Sequence, residues 1–278
     1  MKKLYDEISS ESSKMITRKY STSFSLGIYY LDRSIHEPIY SIYGFVRIAD
    51  EIVDSFHGYD KEYLLKKFRE DTVQAIEDKI SLNPVLNSFQ AVYHQYKIDW
   101  ELVDLFLNSM EMDLNKTSYN PEQYDKYILG SAEVVGLMCL RVFTDNDDSL
   151  YKKLKPYAMK LGSAFQKVNF LRDVKADFEA LGRTYFPSVD MMNFSETDKS
   201  RIEAEIEDEF NEALIGIKQL PESSRKGVYL AYYYYKKLFM KIRRLPPNRI
   251  LDARIRIPNI QKIALFFQSS LRLKLNTL

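Results

Sequence analysis

The chain is poor in the residues that disulfide-bonded and all-β proteins need. It has 278 residues, with one cysteine, nine glycines and nine prolines. The single cysteine, Cys139, cannot form an internal disulfide, which favours a reducing compartment. The few glycines and prolines leave little turn chemistry for a sheet of many strands. These shortages favour a helical protein of the cytoplasm.

The sequence also lacks net charge and long apolar runs. Its 40 Lys and Arg residues against 39 Asp and Glu residues give a formal net charge of +1, which predicts neither nucleic acid nor an anionic surface as a partner. The sequence contains no run of 18 apolar residues, so no membrane-spanning helix is predicted. The start, MKKLYDEISS, lacks the apolar stretch of a secretory signal.

Apolar residues recur with the helical period of 3.6 along most of the chain. Eight segments show this period most clearly: 36–56, 61–79, 99–115, 121–143, 149–181, 199–218, 222–244 and 258–275. Pro121, Pro221 and Pro258 fall where helices can start. Since 45% of residues are hydrophobic and no linker or repeat interrupts them, we predict one all-α domain over residues 1–278.

One largely apolar helical segment, IYSIYGFVRIADEIVDSF, carries two aspartates on one face. Its polar stripe falls within about 60° on a helical projection and consists of Tyr43, Arg47, Asp50 and Asp54. Apolar residues around the stripe predict a buried helix. Carboxylates four residues apart repel each other. We therefore expect either a cavity with a bound cation or a structural salt bridge from Arg47.

A second segment, LGSAFQKVNFLRDVKADFEALGRTYF, repeats this arrangement. One face carries polar and small residues at spacings of three and four: Gly162, Gln166, Asn169, Asp173 and Asp177. Amides within an apolar frame are typical of satisfied, inward groups. The alternative is a solvated face, because Lys167, Lys175 and Glu179 are predicted to point outward.

Together the stripes predict opposite walls of one cavity. The three histidines fall outside both stripes, so zinc is not expected. Oxygen ligands favour Mg²⁺, with Mn²⁺ as an alternative ion. The expected metal ligands are Asp50, Asp54, Asn169, Asp173 and Asp177. Because Mg²⁺ typically joins one or two carboxylates to a substrate phosphate, the residues predict a diphosphate site.

The same segments resemble the two aspartate-rich motifs of the squalene/phytoene synthase family. DEIVD and NFLRDVKAD stand in the family's order, and YSTSFSLG resembles its Ser-x-Ser-Phe element. The resemblance covers nearly the whole chain. It implies the all-α isoprenoid synthase fold, a helical bundle around a central cavity. It also implies Mg²⁺-dependent head-to-head joining of two prenyl diphosphates through a cyclopropyl diphosphate.

The resemblance also implies roles for individual residues. The expected catalytic residues are Tyr43, Arg47, Asp50, Asp54, Asp173, Asp177 and Tyr235. The expected diphosphate-binding residues are Ser21, Ser23, Arg47, Gln166, Arg172, Arg183, Tyr185, Arg254 and Lys262. An ordinary ion pair is the alternative for each arginine, and Arg172 projects about 100° off the stripe. Four tyrosines could offer ring faces to a carbocation: Tyr43, Tyr127, Tyr185 and Tyr235.

The middle of the chain departs from the family's pattern. The family often reads Tyr-Cys-x-x-Val-Ala-Gly-x-Val-Gly, whereas this chain reads YILGSAEVVG. Leu129 stands where an aromatic residue is common, and Glu133 replaces a glycine. The role usually given to that aromatic is therefore not expected at position 129.

By overall likeness, the expected activity is phytoene synthesis from two geranylgeranyl diphosphates, in carotenoid biosynthesis. Squalene or dehydrosqualene synthesis from farnesyl diphosphate is the first alternative. A chain-elongating prenyltransferase or a cyclase is disfavoured, because D-E-I-V-D and D-V-K-A-D lack Asp-Asp-x-x-Asp. A non-catalytic helical protein that binds a lipid is an alternative of a different class.

Three further segments carry expectations about the cavity and its surroundings. The segment 182–198 interrupts the helical pattern and could cover the cavity mouth. The stretch VGLMCLRVF could line the apolar tunnel or belong to the core. The tail, QKIALFFQSSLRLKLNTL, is expected to be a packing helix, with a peripheral membrane contact as the alternative.

Overall fold

The computed structural model describes residues 1–115, 118–181, 185–187, 189, 193–251, 255–258 and 268. The side chains of residue 115 and of residues 176–181 are outside this description. Within the described residues no helix has the length and apolar character needed to cross a membrane.

The regular elements are helices, which confirms the predicted all-α class. In chain order they are α1 (Lys2–Tyr20), α2 (Thr22–Tyr29), a 3-10 turn (Arg33–Ile35), α3 (His36–Asp54), α4 (Lys61–Asp78), α5 (Pro84–Gln95), α6 (Trp100–Asn115), α7 (Pro121–Ile128), a π-helical segment (Leu129–Glu133), α8 (Val134–Phe143), α9 (Asp148–Leu181), α10 (Glu196–Gln219), α11 (Glu222–Arg243) and α12 (Pro247–Ile250).

Local sequence signals fix where helices begin. Before α7, the Gln123 N–H donates to Asn120 Oδ1 at 2.8 Å, and the Asn120 N–H donates to Gln123 Oε1 at 3.3 Å. This reciprocal pair satisfies two otherwise free amides. Pro121 begins α7 and Pro221 precedes α11, both as predicted. Pro258 lies in the non-helical stretch 255–258, and most of the helix predicted for 258–275 is outside the described residues.

The structure adds α1, α2 and α5, which the apolar period did not predict. α1 buries Ser9, Ser13 and Thr17 instead of an apolar stripe. Ser13 Oγ lies 2.7 Å from Ser88 Oγ of α5. A Cβ at Gly44 of α3 would lie 2.8 Å from Ser13 Oγ. This close approach needs small residues, and an apolar pattern search does not find small polar residues at an interface.

α3 is anchored in the core at the ring of Phe45. The Phe45 ring stacks on Phe89 of α5 at a centroid distance of 4.0 Å, and lies 5.5 Å from both Phe68 of α4 and Phe106 of α6. Burying one such side chain contributes about 1.5–3 kcal/mol. The aspartate-bearing end of α3 is therefore attached to a rigid support.

Candidate active site

The helices enclose one large apolar cavity of about 320 Å³. Helices α2, α3, α8, α9, α10 and α11 and the π-helical segment line it. From the stretch VGLMCLRVF, Val135, Cys139 and Phe143 face the cavity, whereas Leu137 and Met138 belong to the core. The expected lining role therefore holds for one face of α8.

The α3 stripe lies beside this cavity, which Tyr43 and Val46 line. Arg47 contacts two carboxylates, those of Asp50 and Glu51, and its guanidinium lies 4.5 Å from the centre of the Tyr20 ring. Glu51 is almost fully buried, and helical spacing does not predict its role because it falls off the stripe. Arg47 thus forms the ion pair that was the structural alternative, and it forms it at the edge of the cavity.

Burial and a like charge act together on Asp50. Its side chain keeps 35% of its surface accessible, yet enough protein surrounds it that desolvation is the largest cause of its shifted pKa. Desolvation and the nearby Asp54 charge raise the pKa of Asp50 to about 6, against the opposing effect of Arg47. The predicted repulsion between Asp50 and Asp54 is therefore present in the fold.

The α9 stripe reaches the same cavity through its amides. Gln166 and Asn169 line the cavity together with Tyr235 of α11. The Tyr235 hydroxyl donates to Asn169 Oδ1 at 3.3 Å, and Asn169 Nδ2 donates to Gln166 Oε1 at 3.4 Å. One turn further along α9 stands Asp173. Residues of both stripes thus line one cavity, as predicted.

The Arg172 side chain does not point away from the stripe as the helical projection predicts, because it turns towards Asp173. Its Nε and Nη2 donate to the two carboxylate oxygens at 3.0 and 2.5 Å. This bidentate geometry is a strong form of ion pair. The Ile255 N–H also donates to the Arg172 carbonyl at 3.4 Å, so residue 255 lies beside α9. The side chain of Asp177 and all of Arg183, Arg254 and Lys262 lie outside the described residues.

The two expected serines lie near the end of the cavity that Tyr43 and Tyr235 line. Ser21 caps α2 by accepting the Phe24 N–H at 3.1 Å, and its hydroxyl is a hydrogen-bond neighbour of Tyr43. Ser23 lines a small adjoining pocket with Tyr235. The structure thus brings Ser21, Ser23 and both tyrosines to one end of the cavity.

A match to a sequence profile gives these residues a family. The profile of the squalene/phytoene synthases matches residues 17–261. The chain belongs to the squalene/phytoene synthase family. The family's relatives are prenyltransferases, and the resemblance drawn from the motifs is confirmed.

Curated relatives of this family cover much of the chain. A phytoene synthase of Arthrospira platensis is 24% identical over 91% of this chain and 89% of its own length. The chloroplastic phytoene synthase 1 of Solanum lycopersicum is 25% identical over 82% of this chain and 59% of its own length. The presqualene diphosphate synthase of Zymomonas mobilis is 31% identical over 66% of this chain and 62% of its own length.

Solved structures of the family share the fold. The crystal structure of a dehydrosqualene synthase in complex with ligand superposes with a TM-score of 0.83 at 21% identity, covering 97% of this chain and 98% of the other. A squalene synthase from Alicyclobacillus acidocaldarius gives a TM-score of 0.75 at 21% identity, covering 87% and 95%. The fold is therefore the isoprenoid synthase fold, as predicted.

Tyr127 and Tyr185 stand apart from the lining of this family member's cavity. Neither is among the described residues that line it. Their rings stack with Phe170 at 6.0 and 4.0 Å. The Tyr127 hydroxyl donates to Asp113 Oδ2 at 2.6 Å. The interpretation of these two rings as cation-facing walls is therefore not supported, because both are used in a packed aromatic cluster.

Asp113 of α6 is a buried acid whose place near the α3 stripe the helical spacing does not predict. It is 7% exposed and also accepts a hydrogen bond from Tyr119 at 2.9 Å. Its charge contributes to the raised pKa of Asp50. The stretch MEMDLN has no second acidic residue four positions from Asp113 on the same helix face. Only the fold therefore brings Asp113 towards the α3 stripe.

Lys167 corrects a sequence prediction. It was expected to point outward, but it is 3% exposed and contacts Glu205 and Glu209 of α10. Glu209 Oε1 also accepts a hydrogen bond from Ser163 at 2.8 Å. The face of α9 away from the cavity therefore carries a buried ion pair. One lysine among apolar and polar residues of the same helix does not predict such a buried pair.

The departures from the family's pattern coincide with the π-helical segment. Leu129 begins it and Glu133 ends it. The segment packs tightly, since a Cβ at Gly162 of α9 would lie 2.8 Å from the Ala132 carbonyl oxygen. Burial, aided by the Glu209 charge, raises the pKa of Glu133 to about 7. The helix predicted for 121–143 therefore exists, but with an irregular turn where its sequence is unusual.

The donor set fits a divalent cation in its chemistry. Among the described residues, no group of three or more His, Cys, Asp or Glu side chains is placed to hold a metal ion. Mg²⁺ characteristically uses one or two protein carboxylates and completes its shell with water and phosphate oxygens. The paired charges of Asp50 and Asp54 supply such carboxylates, and repulsion between them is relieved by a cation.

Proposed function

We propose that the chain joins two prenyl diphosphates head to head, with geranylgeranyl diphosphate as substrate and phytoene as product of carotenoid biosynthesis. The reaction would pass through the cyclopropyl intermediate prephytoene diphosphate. The observation that carries this proposal is the apolar cavity with two carboxylate-bearing stripes at one end, in a chain of this family. A long apolar tail and a diphosphate head are the two parts of a ligand that such a cavity accepts.

Relatives named phytoene synthase support the geranylgeranyl substrate, because they match 82–91% of the chain. A second candidate is condensation of two farnesyl diphosphates to squalene or dehydrosqualene. It is favoured by the 27% identity to the 4,4'-diapophytoene synthase of Staphylococcus haemolyticus. The cavity volume of about 320 Å³ lies at the lower end of the range of about 300–1,000 Å³ for ligand pockets, which suits the shorter tail.

The polar end of the cavity would hold and orient the diphosphate. Arg47 and Arg172 are already placed by carboxylates and can donate charge-assisted hydrogen bonds to phosphate oxygens. Asp50, Asp54, Asp173, Asn169 and Asp177 would hold Mg²⁺, with Mn²⁺ as an alternative ion. When bound, the ion supplies Lewis-acid neutralisation of the leaving diphosphate. Ser21 offers a hydroxyl donor at the same end.

The walls near that end would protect the carbocation left by diphosphate departure. The Tyr235 ring stacks on Phe165 at 4.0 Å, and the Tyr43 ring lies 5.2 Å from Phe24. Aromatic faces attract a desolvated cation by about 2 kcal/mol each. An apolar lining excludes water, which would otherwise trap the cation as an alcohol.

We propose that the enzyme is cytoplasmic, with peripheral membrane contact of the tail as the alternative to a packing helix. Its apolar products suit a membrane surface, and the tail contains both basic and apolar residues. The tail lies outside the described residues apart from residue 268.

The deciding experiment is incubation of the purified protein with farnesyl or geranylgeranyl diphosphate and Mg²⁺, with and without NADPH as the reductant that squalene formation needs, followed by mass spectrometry of the hydrocarbon. We expect phytoene and released diphosphate from the C20 substrate, and no product after chelation with EDTA. Squalene or dehydrosqualene from the C15 substrate alone would establish the second candidate. Tight binding of both substrates without diphosphate release would identify the non-catalytic lipid-binding protein instead.

A further inference from the structure

The cavity runs along α9 between Leu154 and Asn169. Its polar end lies at Asn169, and its last lining residue on this helix is Leu154. A helix rises 1.5 Å per residue, so this stretch measures about 22 Å. α3 agrees in direction, because Ile39 lines the cavity at the end of α3 opposite Asp50. A tail whose diphosphate sits at Asn169 therefore extends towards the start of α9.

Contacts between α9 and α10 fix the order of residues along the cavity. Lys167 Nζ contacts Glu209 Oε1 at 2.8 Å, while a Cβ at Gly216 would lie 2.3 Å from Tyr157 Cβ. The two helices are thus antiparallel, and moving forward on α10 means moving away from the polar end. Ile217, which lines the cavity after Gly216, belongs to its far end.

Tyr157 is the bulkiest side chain on the α9 wall near that far end. It lines the cavity about 18 Å along the helix from Asn169. Small residues lie near it: Gly216 leaves room for its Cβ, and Ala213 and Ala158 also line the cavity. Because small residues lie around the ring, removing the ring would enlarge the cavity.

We propose that Tyr157, seated against Gly216, sets the longest prenyl tail that the cavity accepts. The inference rests on the proposed function, because a prenyl tail is what the cavity is taken to hold. The tail reaches from the polar end at Asn169 to the Tyr157 ring, where the next five-carbon unit would collide with the ring. Ala158, on the same wall, marks a position where added bulk would stop the tail earlier.

The test compares the wild-type protein with Tyr157→Ala, Ala158→Leu and a matched control, Tyr93→Ala. Tyr93 is likewise half-buried and packed against the core, but is not among the described residues lining the cavity. Each protein receives farnesyl, geranylgeranyl and geranylfarnesyl diphosphates in competition. Binding of unreactive thiolodiphosphate analogues of the same three lengths provides a readout that does not need turnover.

One methylene is worth roughly 10- to 200-fold in discrimination, so removing the stop should be easy to detect. We expect Tyr157→Ala to shift kcat/KM and affinity at least about tenfold towards the longer tails. Ala158→Leu should shift both towards the shorter ones, and Tyr93→Ala should leave both ratios unchanged. Unchanged length ratios in a folded Tyr157→Ala protein would overturn the proposal.

The failures of the two proposals are distinguishable. If the wild-type protein releases no diphosphate from any tail, the proposed function fails, while analogue affinities still test the tail stop. If Tyr157→Ala does not fold, Ala158→Leu decides alone, and an unchanged length preference in that variant would refute the stop.

Discussion

Two acid-rich regions of this protein use similar residues in opposite ways. At the cavity, Asp50 lies near the like charge of Asp54 and pairs with Arg47, which also contacts Glu51. Behind α9, Lys167 lies between Glu205 and Glu209, with Ser163 completing the network. The first region adjoins residues that line an apolar cavity, whereas in the second Lys167 and Glu209 are buried between two helices.

The difference shows that acidic residues mark a site only when the fold leaves their charge partly uncompensated beside a cavity. Burial raises the pKa of Glu209 as well, but Lys167 opposes this shift from 2.8 Å away, so the cation of Glu209 belongs to the protein. The pKa of Asp50 is raised to about 6 despite Arg47, so its cluster favours additional positive charge. Four substitutions test this contrast.

The largest effect is expected for Asp54→Asn. We expect turnover to fall about a thousandfold or more, because a group that serves metal-assisted departure contributes several kcal/mol to the transition state. Stability should not fall, since the substitution removes a charge that opposes Asp50. Steady-state diphosphate release and urea unfolding measure the two quantities. Glu205→Gln, at an exposed acid of the other region, is the control and should keep wild-type turnover. An unfolded Asp54→Asn protein would show that this carboxylate is structural.

Lys167→Met should reverse the pattern by destabilising the fold. It leaves Glu209, 7% exposed at its side chain, without its cation, and breaking a buried pair costs about 3–5 kcal/mol. Lys160→Met is the matched control, because Lys160 and Glu212 are 41% and 51% exposed and such pairs contribute at most about 1 kcal/mol. Full stability with lost turnover in Lys167→Met would instead assign Lys167 to the site.

Asp113→Asn should have an intermediate effect. The amide has one acceptor oxygen for two buried phenols, so Tyr119 or Tyr127 loses its partner at a cost of about 1–3 kcal/mol. Tyr124→Phe offers a contrast, since the buried Tyr124 hydroxyl has no hydrogen-bond partner within the described part of the chain. Chemical denaturation should show a loss for the first variant and no loss for the second. No loss in Asp113→Asn would show that ring packing alone stabilises this cluster.

The smallest effect is expected for Glu133→Gln, and it depends on pH. Because the folded state raises the pKa of Glu133 to about 7, its contribution favours folding at acid pH and is lost as pH rises through about 7. The variant should therefore gain stability relative to wild type between pH 5 and pH 8, on the order of 2 kcal/mol. Unfolding midpoints at both pH values measure this gain, and Glu212→Gln is the exposed control. A constant difference at the two pH values would contradict the shift.

Much of the helical architecture was predictable from local patterns. The helices α3, α4, α6 and α10 were expected from the apolar period, and Pro121 marked the start of α7. α1 was missed because its buried face is made of Ser9, Ser13 and Thr17, which carry no apolar signal. The irregular turn at Leu129 was also missed, because a π-helical segment depends on what packs around it.

The candidate site divides in the same way. Asp50, Asp54, Asn169 and Asp173 were predicted because helical spacing alone puts them on shared faces. Asp113 and Glu51 were not predicted, since their environment comes from other helices. Lys167 was placed on the wrong side, because its partners lie on α10 and no local pattern reports them.

By itself, the sequence determined the helical class, the two polar stripes and the family motifs, because each follows from spacing along one helix. Only the tertiary structure decided which charges are compensated, where the cavity ends and which tyrosines line it. Those properties depend on contacts between helices that are far apart in the chain, as Tyr157 against Gly216 and Lys167 against Glu209 show.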